Sequence, residues 1–372
     1  MLSCPLSRPG AGIVLLKRTQ ETQIFDPDKG SFMTSSPTVA VLGGGSFGTA
    51  IANVIARNGF ATTLWMRDAK RARETQELRE NKTYLPGYSL ADQLTVISDI
   101  EVTLMDKTVV FLSVPSASFS QVAEQIKPYL NKNSQIVSTT KGIDRDGFKL
   151  MSQILAETLP GYSIGALSGP NFAKEMIRGE ITGSVIASAD DDLIKNVQQL
   201  LASERFRIYS SKDCYGVELA GALKNIYAIM AGMIEARQYG HNTMALLLTR
   251  ALSEMGLFAH ALGADPMTFL GLAGVGDLIL TCNSNLSRNF RVGYAMGAGE
   301  SLASAIKSVG QVVEGVNTLR LVKEKAESLG VEMPLVLALY ALLFEGESPD
   351  SIISQLMLGE QNSDVDFTGA MI

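Results

Sequence analysis

The apolar positions of this chain follow two rhythms. Between residues 39 and 210 they come in short, mostly unbroken runs at 39–42, 61–66, 109–114, 136–140, 181–188 and 205–210. Runs of this length, bounded by glycine, proline and polar clusters, read as strands, and the one at 109–114, ended by Pro115, as a buried strand. From Lys212 to about Glu360 that pattern disappears. Apolar residues now recur at helical spacing, as at Leu219, Leu223, Ile226, Met230 and Met233 inside 218–235, which places them on one stripe of a helix. Lys224 lies beside that stripe, where a lysine ordinarily snorkels to solvent. The polar run Ser210-Ser211-Lys212-Asp213 suits a hinge between a strand-bearing half and a helical half.

The first run ends in Gly43-Gly44-Gly45-Ser46-Phe47-Gly48, and 49–56 then reads as a helix closed by Asn58-Gly59. Strand, glycine turn and helix in that order give G-x-G-x-x-G its meaning. Gly43 allows the tight turn, Gly45 lets the backbone approach a pyrophosphate, and Gly48 lets helix and strand pack closely. The helix N-terminus offers free N–H groups to phosphate. The expected fold class is therefore α/β, with a Rossmann-like dinucleotide-binding domain over 37–211 followed by an all-helical domain over 212–360. Residues 1–36 read as a poorly ordered extension, or as sequence upstream of a start at Met33, and 361–372 as a tail.

Composition narrows the classes. A chain of 372 residues exceeds one ordinary core, so two domains are the default. Its net charge of −6 argues against a nucleic-acid partner, which favours a basic stripe. Cys4, Cys214 and Cys282 are few and widely spaced, making neither a disulfide framework nor a zinc site. They suit a reducing cytoplasm. No run of roughly eighteen uncharged apolar residues is present, and 1–36 lacks the long apolar region of a signal peptide. The helical half is compatible with a homodimer, although no stripe stands out as unpaired.

Several polar groups then stand out. The residue at the end of the second strand faces the adenosine ribose in a Rossmann domain, where Asp or Glu selects NAD and Arg accommodates the phosphate of NADP. Here Arg67 is followed by Asp68. The pair reads as NADPH use with NADH tolerated, or as an exposed charged turn. Lys141 follows a strand, where ligands gather in open α/β sheets; a solvated loop lysine is the plain alternative. Gly169-Pro170 before a helix-forming run suggests a helix start able to receive an anion. Asp277, after Gly271-Leu272-Ala273-Gly274-Val275-Gly276, stands where it could simply be an N-cap. Ser287-Arg288-Asn289 offers a guanidinium suited to phosphate, or else a capped helix with an exposed arginine.

Together these stretches closely resemble one family, the NAD(P)-dependent glycerol-3-phosphate dehydrogenases of the bacterial soluble type. The likeness runs from about Val39 to Glu360. It rests on the glycine turn, Thr140-Lys141-Gly142, Ser168-Gly169-Pro170-Asn171-Phe172-Ala173, and Glu218-Leu219-Ala220-Gly221-Ala222-Leu223-Lys224-Asn225. Gly274-Val275-Gly276-Asp277, Ser287-Arg288-Asn289 and Gln311-Val312-Val313-Glu314-Gly315 complete it. The resemblance implies that Lys224 is the general acid/base and that Lys141 meets both substrate and cofactor. It implies a substrate site of Gly169, Asn171, Asp277, Ser287, Arg288 and Asn289. Ser46, Phe47, Arg67, Ala173, Arg288, Val312 and Glu314 would join the glycines around NADP(H) or NAD(H). The implied substrate pair is dihydroxyacetone phosphate and glycerol 3-phosphate, serving glycerophospholipid synthesis, with no metal. Asn171 departs from the small hydroxyl residue more usual in the family, and the arm before Pro37 has no counterpart in these motifs.

The proton chemistry agrees with the residues. Reducing a ketone needs a hydride at C2 and a proton on its oxygen, and both histidines, His241 and His260, lie outside the site motifs. A lysine serves if burial and a neighbouring cation lower its pKa. Two competing readings are a hydroxyacid dehydrogenase of similar two-domain build and a catalytically silent NADPH sensor. The Ser287-Arg288-Asn289 group, suited to a phosphorylated substrate, opposes the first. The set Lys141, Lys224 and Asp277 opposes the second.

Overall fold

A computed structural model describes residues 23–26, 31–34 and 37–358. Within the expected amino-terminal extension it describes a two-stranded antiparallel hairpin, β1 (Gln23–Asp26) with β2 (Ser31–Thr34). The remainder of 1–36 and the expected tail lie outside the described residues. Contacts group the described residues from Pro37 onward as a single compact unit.

Eight strands form one sheet: β3 (Val39–Leu42), β4 (Thr62–Trp65), β5 (Leu94–Ile97), β6 (Val109–Leu112), β7 (Gln135–Ser138), β8 (Ser163–Ser168), β9 (Thr182–Ser188) and β10 (Phe206–Ser211). Their order is β10-β9-β8-β7-β6-β3-β4-β5. The six strands β3 to β8 are parallel in the doubly wound Rossmann order, which reverses between β3 and β6. β9 turns antiparallel to β8, and β10 then runs parallel to β9.

The unbroken apolar runs have their cause in this arrangement. Val39 and Val41 face one core and Ala40 and Leu42 the other; Val109 and Phe111 alternate with Val110 and Leu112 in the same way. Helices cover both faces: α1 (Ser46–Arg57), α2 (Ala69–Leu78), α3 (Ile100–Leu104), α4 (Phe119–Ile126), α5 (Met151–Thr158), α6 (Ala173–Arg178) and α7 (Asp191–Leu201). Two strands, β5 and β8, have no counterpart among the expected runs. β5 is a four-residue edge strand with Thr95 exposed, and β8 is Ser-Ile-Gly-Ala-Leu-Ser, with little β-branched content. The helix expected after Pro170 begins three residues later, at Ala173.

After β10 the described chain is helical: α8 (Cys214–Ala236), α9 (His241–Ala261), α10 (Asp277–Cys282), α11 (Arg288–Gly297), α12 (Leu302–Val309), α13 (Glu314–Leu329), α14 (Pro334–Tyr340) and α15 (Pro349–Leu358). The expected single stripe on 218–235 is not what forms. α8 is buried on every side from Gly216 to Gly232, packed by α9, α10, α11, α13 and α14. Its length and mean hydropathy of 1.3 would suit a bilayer, but 89% of that window is buried as the core of this half. α8 and α11 cross closely because two glycines face backbone. A Cβ on Gly232 would lie 2.0 Å from the Phe290 carbonyl oxygen, and one on Gly293 1.8 Å from that of Ile229.

Candidate active site

The glycine turn leaves the carboxyl end of β3 beside the strand-order reversal. Gly43 has φ +123°, and a Cβ there would meet the Ser113 carbonyl oxygen at 2.3 Å. A Cβ on Gly48 would meet the Gly43 carbonyl oxygen at 2.0 Å, so α1 rests directly on the turn. Gly45, by contrast, has nothing within 4 Å of its Cβ position. It is also the N-cap of α1 and supplies no side chain, so the first N–H groups of α1 carry no side-chain cap. Open space, uncapped donors and a helix dipole fit a pyrophosphate. Ser46 donates to the Tyr84 carbonyl oxygen at 3.1 Å. Phe47 and Ala173 pack against the sheet core.

Where β4 ends, Arg67 is exposed. Asp68 is occupied as the N-cap of α2, accepting from the N–H groups of Lys70 and Arg71 at 3.0 and 3.1 Å.

The centre of the site joins the two halves. α8 carries Lys224 into a buried position, 5% exposed, instead of letting it snorkel. Asp277 does not cap its helix: Gly276 holds that position, and the carboxylate, 1% exposed, turns toward two ammoniums. Lys224 Nζ donates to Asp277 Oδ1 and, at 2.8 Å, to Thr281 Oγ1. Lys141 Nζ donates to Asp277 Oδ2 at 2.8 Å, to the Gly169 carbonyl at 3.0 Å and to Asn171 Oδ1 at 3.1 Å. Burial pushes Lys224 down from 10.5 to about 7; Asp277 opposes this and Lys141 adds to it. A lysine that is half titrated near neutrality and held against a carboxylate can donate a proton as the ammonium or accept one as the neutral amine.

The other expected residues fall into two groups. Asn171 is taken up as support: it holds Lys141 and donates to Ser184 Oγ at 2.9 Å. Ser287 Oγ accepts the Phe290 N–H at 3.2 Å as the N-cap of α11. Asn289 donates to Asn225 Oδ1 at 2.8 Å and accepts the Gly315 N–H at 3.0 Å, tying α11 to α8 and α13. These contacts leave Arg288 as the member of its triplet that keeps an exposed side chain. Protein crowded around that guanidinium lowers its pKa, Glu314 and Tyr84 oppose this, and Arg291 adds to it; it remains a cation. Glu314, opening α13, accepts from Ser116 Oγ at 2.7 Å and from its N–H at 3.3 Å, beyond the end of β6. Val312 is 49% exposed just before it.

Sequence reasoning missed Thr281, Ser184 and Ser116, and it quoted Asn225 within a motif without giving it a role. Thr281 had a usable signal, since it stands four residues after Asp277 on one helix. The others are brought in by tertiary contacts alone. Among the described residues, no three or more His, Cys, Asp or Glu gather as a metal site.

A family profile described as the NAD-dependent glycerol-3-phosphate dehydrogenase N-terminus matches residues 38–194, and one described as its C-terminus matches 213–354. The chain is 58% identical over 339 residues to glycerol-3-phosphate dehydrogenase (NAD(P)+) of Saccharophagus degradans, covering 91% of this chain and 95% of that protein. It is 51% identical over 335 residues to the Azotobacter vinelandii protein of the same name, covering 90% and 98%. Among solved structures, glycerol-3-phosphate dehydrogenase from Coxiella burnetii superposes with a TM-score of 0.83 at 35% identity, covering 87% of this chain and 99% of that one. The Saccharomyces cerevisiae enzyme gives 0.77 at 26% identity, covering 88% and 100%.

Proposed function

The chain belongs to the NAD-dependent glycerol-3-phosphate dehydrogenase family, and we propose the following residue roles within that activity. The enzyme transfers hydride reversibly between NAD(P)H and dihydroxyacetone phosphate, giving sn-glycerol 3-phosphate. When bound, the nicotinamide supplies or receives the hydride at C2 of the substrate.

Lys224 is the general acid in reduction. Its ammonium gives a proton to the C2 oxygen as negative charge develops there, and its neutral amine takes the proton back in oxidation. Asp277 holds that ammonium through Oδ1 and fixes Lys141 through Oδ2. Lys141 is thereby a second cation beside the same oxygen, positioned by the Gly169 carbonyl and by Asn171. Arg288 receives the substrate phosphate, and Ser287 and Asn289 set its place by capping and anchoring α11. On the cofactor side, Gly43, Gly45, Ser46, Phe47 and Gly48 take the pyrophosphate end. Arg67 meets the adenosine ribose. Ala173, Val312 and Glu314 border the nicotinamide end. In this reading 37–211 binds cofactor and 212–360 supplies the acid and the phosphate site.

The observation that carries the reading is the Lys224–Asp277–Lys141 set, with Lys224 and Asp277 buried and Lys141 partly buried beside them, because a structural ion pair would not require a second cation on one buried carboxylate. Lys224→Ala is expected to lower kcat for dihydroxyacetone phosphate, followed by loss of NADPH absorbance, by about 10²–10⁴-fold. Turnover close to wild type would make Lys224 structural. A cytoplasmic homodimer feeding glycerophospholipid synthesis completes the proposal. Sedimentation at a mass of one chain would remove the dimer from it.

A further inference from the structure

Residues 67–73 carry four cations, Arg67, Lys70, Arg71 and Arg73, against the single acid Asp68, in a chain whose net charge is −6. This stretch leaves the carboxyl end of β4 and opens α2, next to β3 and its glycine turn. Asp68 has two tasks there. Its Oδ1 caps α2, and its Oδ2 lies 3.4 Å from Nε of Arg71. That contact is an ion pair without hydrogen-bond geometry. The Nε atom is shielded from solvent and has no hydrogen-bond partner among the described residues. The N–H of Arg71 holds the Asp68 carboxyl below its usual pKa, so the acid stays ionised at neutral pH.

The Arg71 guanidinium also lies over the Tyr84 ring, 5.4 Å from its centroid. Tyr84 is in turn latched to the glycine turn. Ser46 donates to its carbonyl oxygen at 3.1 Å, and the nearby Asn81 donates to the Gly44 carbonyl at 3.0 Å and to Thr49 Oγ1 at 2.9 Å. Arg71 is therefore held at a set place relative to the pyrophosphate turn, at the strand end where the ribose is met, with one buried donor unspent. Arg67, from the same strand end, is exposed and adds a second cation.

We propose that Arg71, together with Arg67, binds the 2′-phosphate of NADP(H), and that Asp68 is the internal counter-ion this phosphate displaces. The proposal rests on the reading that the ribose is met at the end of β4. A guanidinium suits the task because it grips phosphate with parallel charge-assisted bonds. Asp68 neutralises Arg71 when no phosphate is present and repels the phosphate when it arrives. Its charge thus narrows the gap between NADPH and NADH, while its capping role needs only an acceptor oxygen, which a neutral side chain can also supply.

The test is calorimetric titration of the full chain with 2′,5′-ADP and with 5′-AMP, which differ by the phosphate in question. Arg71→Ala is expected to weaken 2′,5′-ADP by about 10-fold or more, as for a lost hydrogen bond to a charged group. Binding of 5′-AMP should stay within about 2-fold, since a surface change away from its contacts has little effect. Arg71→Lys should restore part of the loss, keeping the charge without the fork. Asp68→Asn retains an N-cap and should tighten 2′,5′-ADP alone. Equal weakening of both ligands by Arg71→Ala would make the residue an adenine platform and overturn the proposal. Unchanged 2′,5′-ADP affinity in Arg71→Ala also overturns it, and leaves the Arg67 reading standing if Arg67→Ala does lose affinity. Unchanged affinity in both variants overturns both.

Discussion

Lys141→Met isolates what the second cation does for the first. In the wild type three influences set the Lys224 pKa: burial lowers it, Asp277 raises it, and Lys141 lowers it, for a result of about 7. Removing the Lys141 ammonium acts twice in one direction. It deletes a repulsion between two ammoniums held on one carboxylate, of the order of a few kcal/mol at an effective dielectric near 20. It also leaves Asp277 Oδ2 without its 2.8 Å partner, so the carboxylate's charge serves Lys224 alone. At 1.36 kcal/mol per tenfold step, and discounting for water entering the space, the Lys224 pKa should rise by about one to two pH units. The assay is kcat for dihydroxyacetone phosphate reduction across pH. A general acid works while protonated, so the rate is full below its pKa and is lost above it. The alkaline limb should fall near 7 in the wild type and about one to two units higher in Lys141→Met. kcat at saturation is the right quantity because Lys141 is also placed against substrate and its loss raises KM. An alkaline limb that stays near 7 in the variant would refute the coupling of the two lysines through Asp277.

Glu254 offers a pH test of stability outside the site. Buried on α9, it accepts the Leu335 N–H at 2.6 Å and the Tyr227 hydroxyl at 3.1 Å, and burial raises its pKa from 4.5 to about 7. A folded pKa above the unfolded value means the native state binds more protons between those limits, so this group's contribution falls as pH rises from 4.5 to about 7. Gln is isosteric and can satisfy both partners, since a tyrosine hydroxyl also accepts. In urea unfolding, Glu254→Gln should match the wild type near pH 4.5 and exceed it by about 3 kcal/mol above pH 7; a pH-independent difference would refute the assignment. Arg288→Ala should raise KM for dihydroxyacetone phosphate by about 10-fold or more with a smaller change in kcat, as expected for a charged contact made in both ground and transition states. Steady-state kinetics with unchanged KM would remove Arg288 from the phosphate site.

The parts legible in sequence are those whose cause is local. Gly43 and Gly48 announce themselves because the turn and the helix above it leave no room for a Cβ. The runs at β3 and β6 are unbroken because each residue faces one of two cores. β8 was hidden by its small residues, and a Cβ on Gly165 would meet Leu193 at 2.7 Å, so the strand is shaped by the helix lying on it. Asp277 could not be told from an N-cap by spacing. Its partners stand 53 and 136 residues away in the chain: the packing of α10 on α8 brings Lys224, and the meeting of the two halves brings Lys141.

Lys224 shows why the rest escaped. On a helix with one exposed edge a lysine reaches water, and the pattern of Leu219, Leu223 and Ile226 permits that reading. What decides otherwise is the number of elements that close around α8, a tertiary fact absent from α8's own residues. Enclosure strips the ammonium of water and brings its pKa from 10.5 to about 7, a differential of about 5 kcal/mol between its two protonation states. A lysine so enclosed without a carboxylate would simply stay neutral. With Asp277 on one side and Lys141 beyond it, the proton remains bound yet ready to leave. The packing that makes α8 the core of its half therefore also sets the acid strength at its centre, and a substitution that opens this core should shift the pH profile before it unfolds the chain.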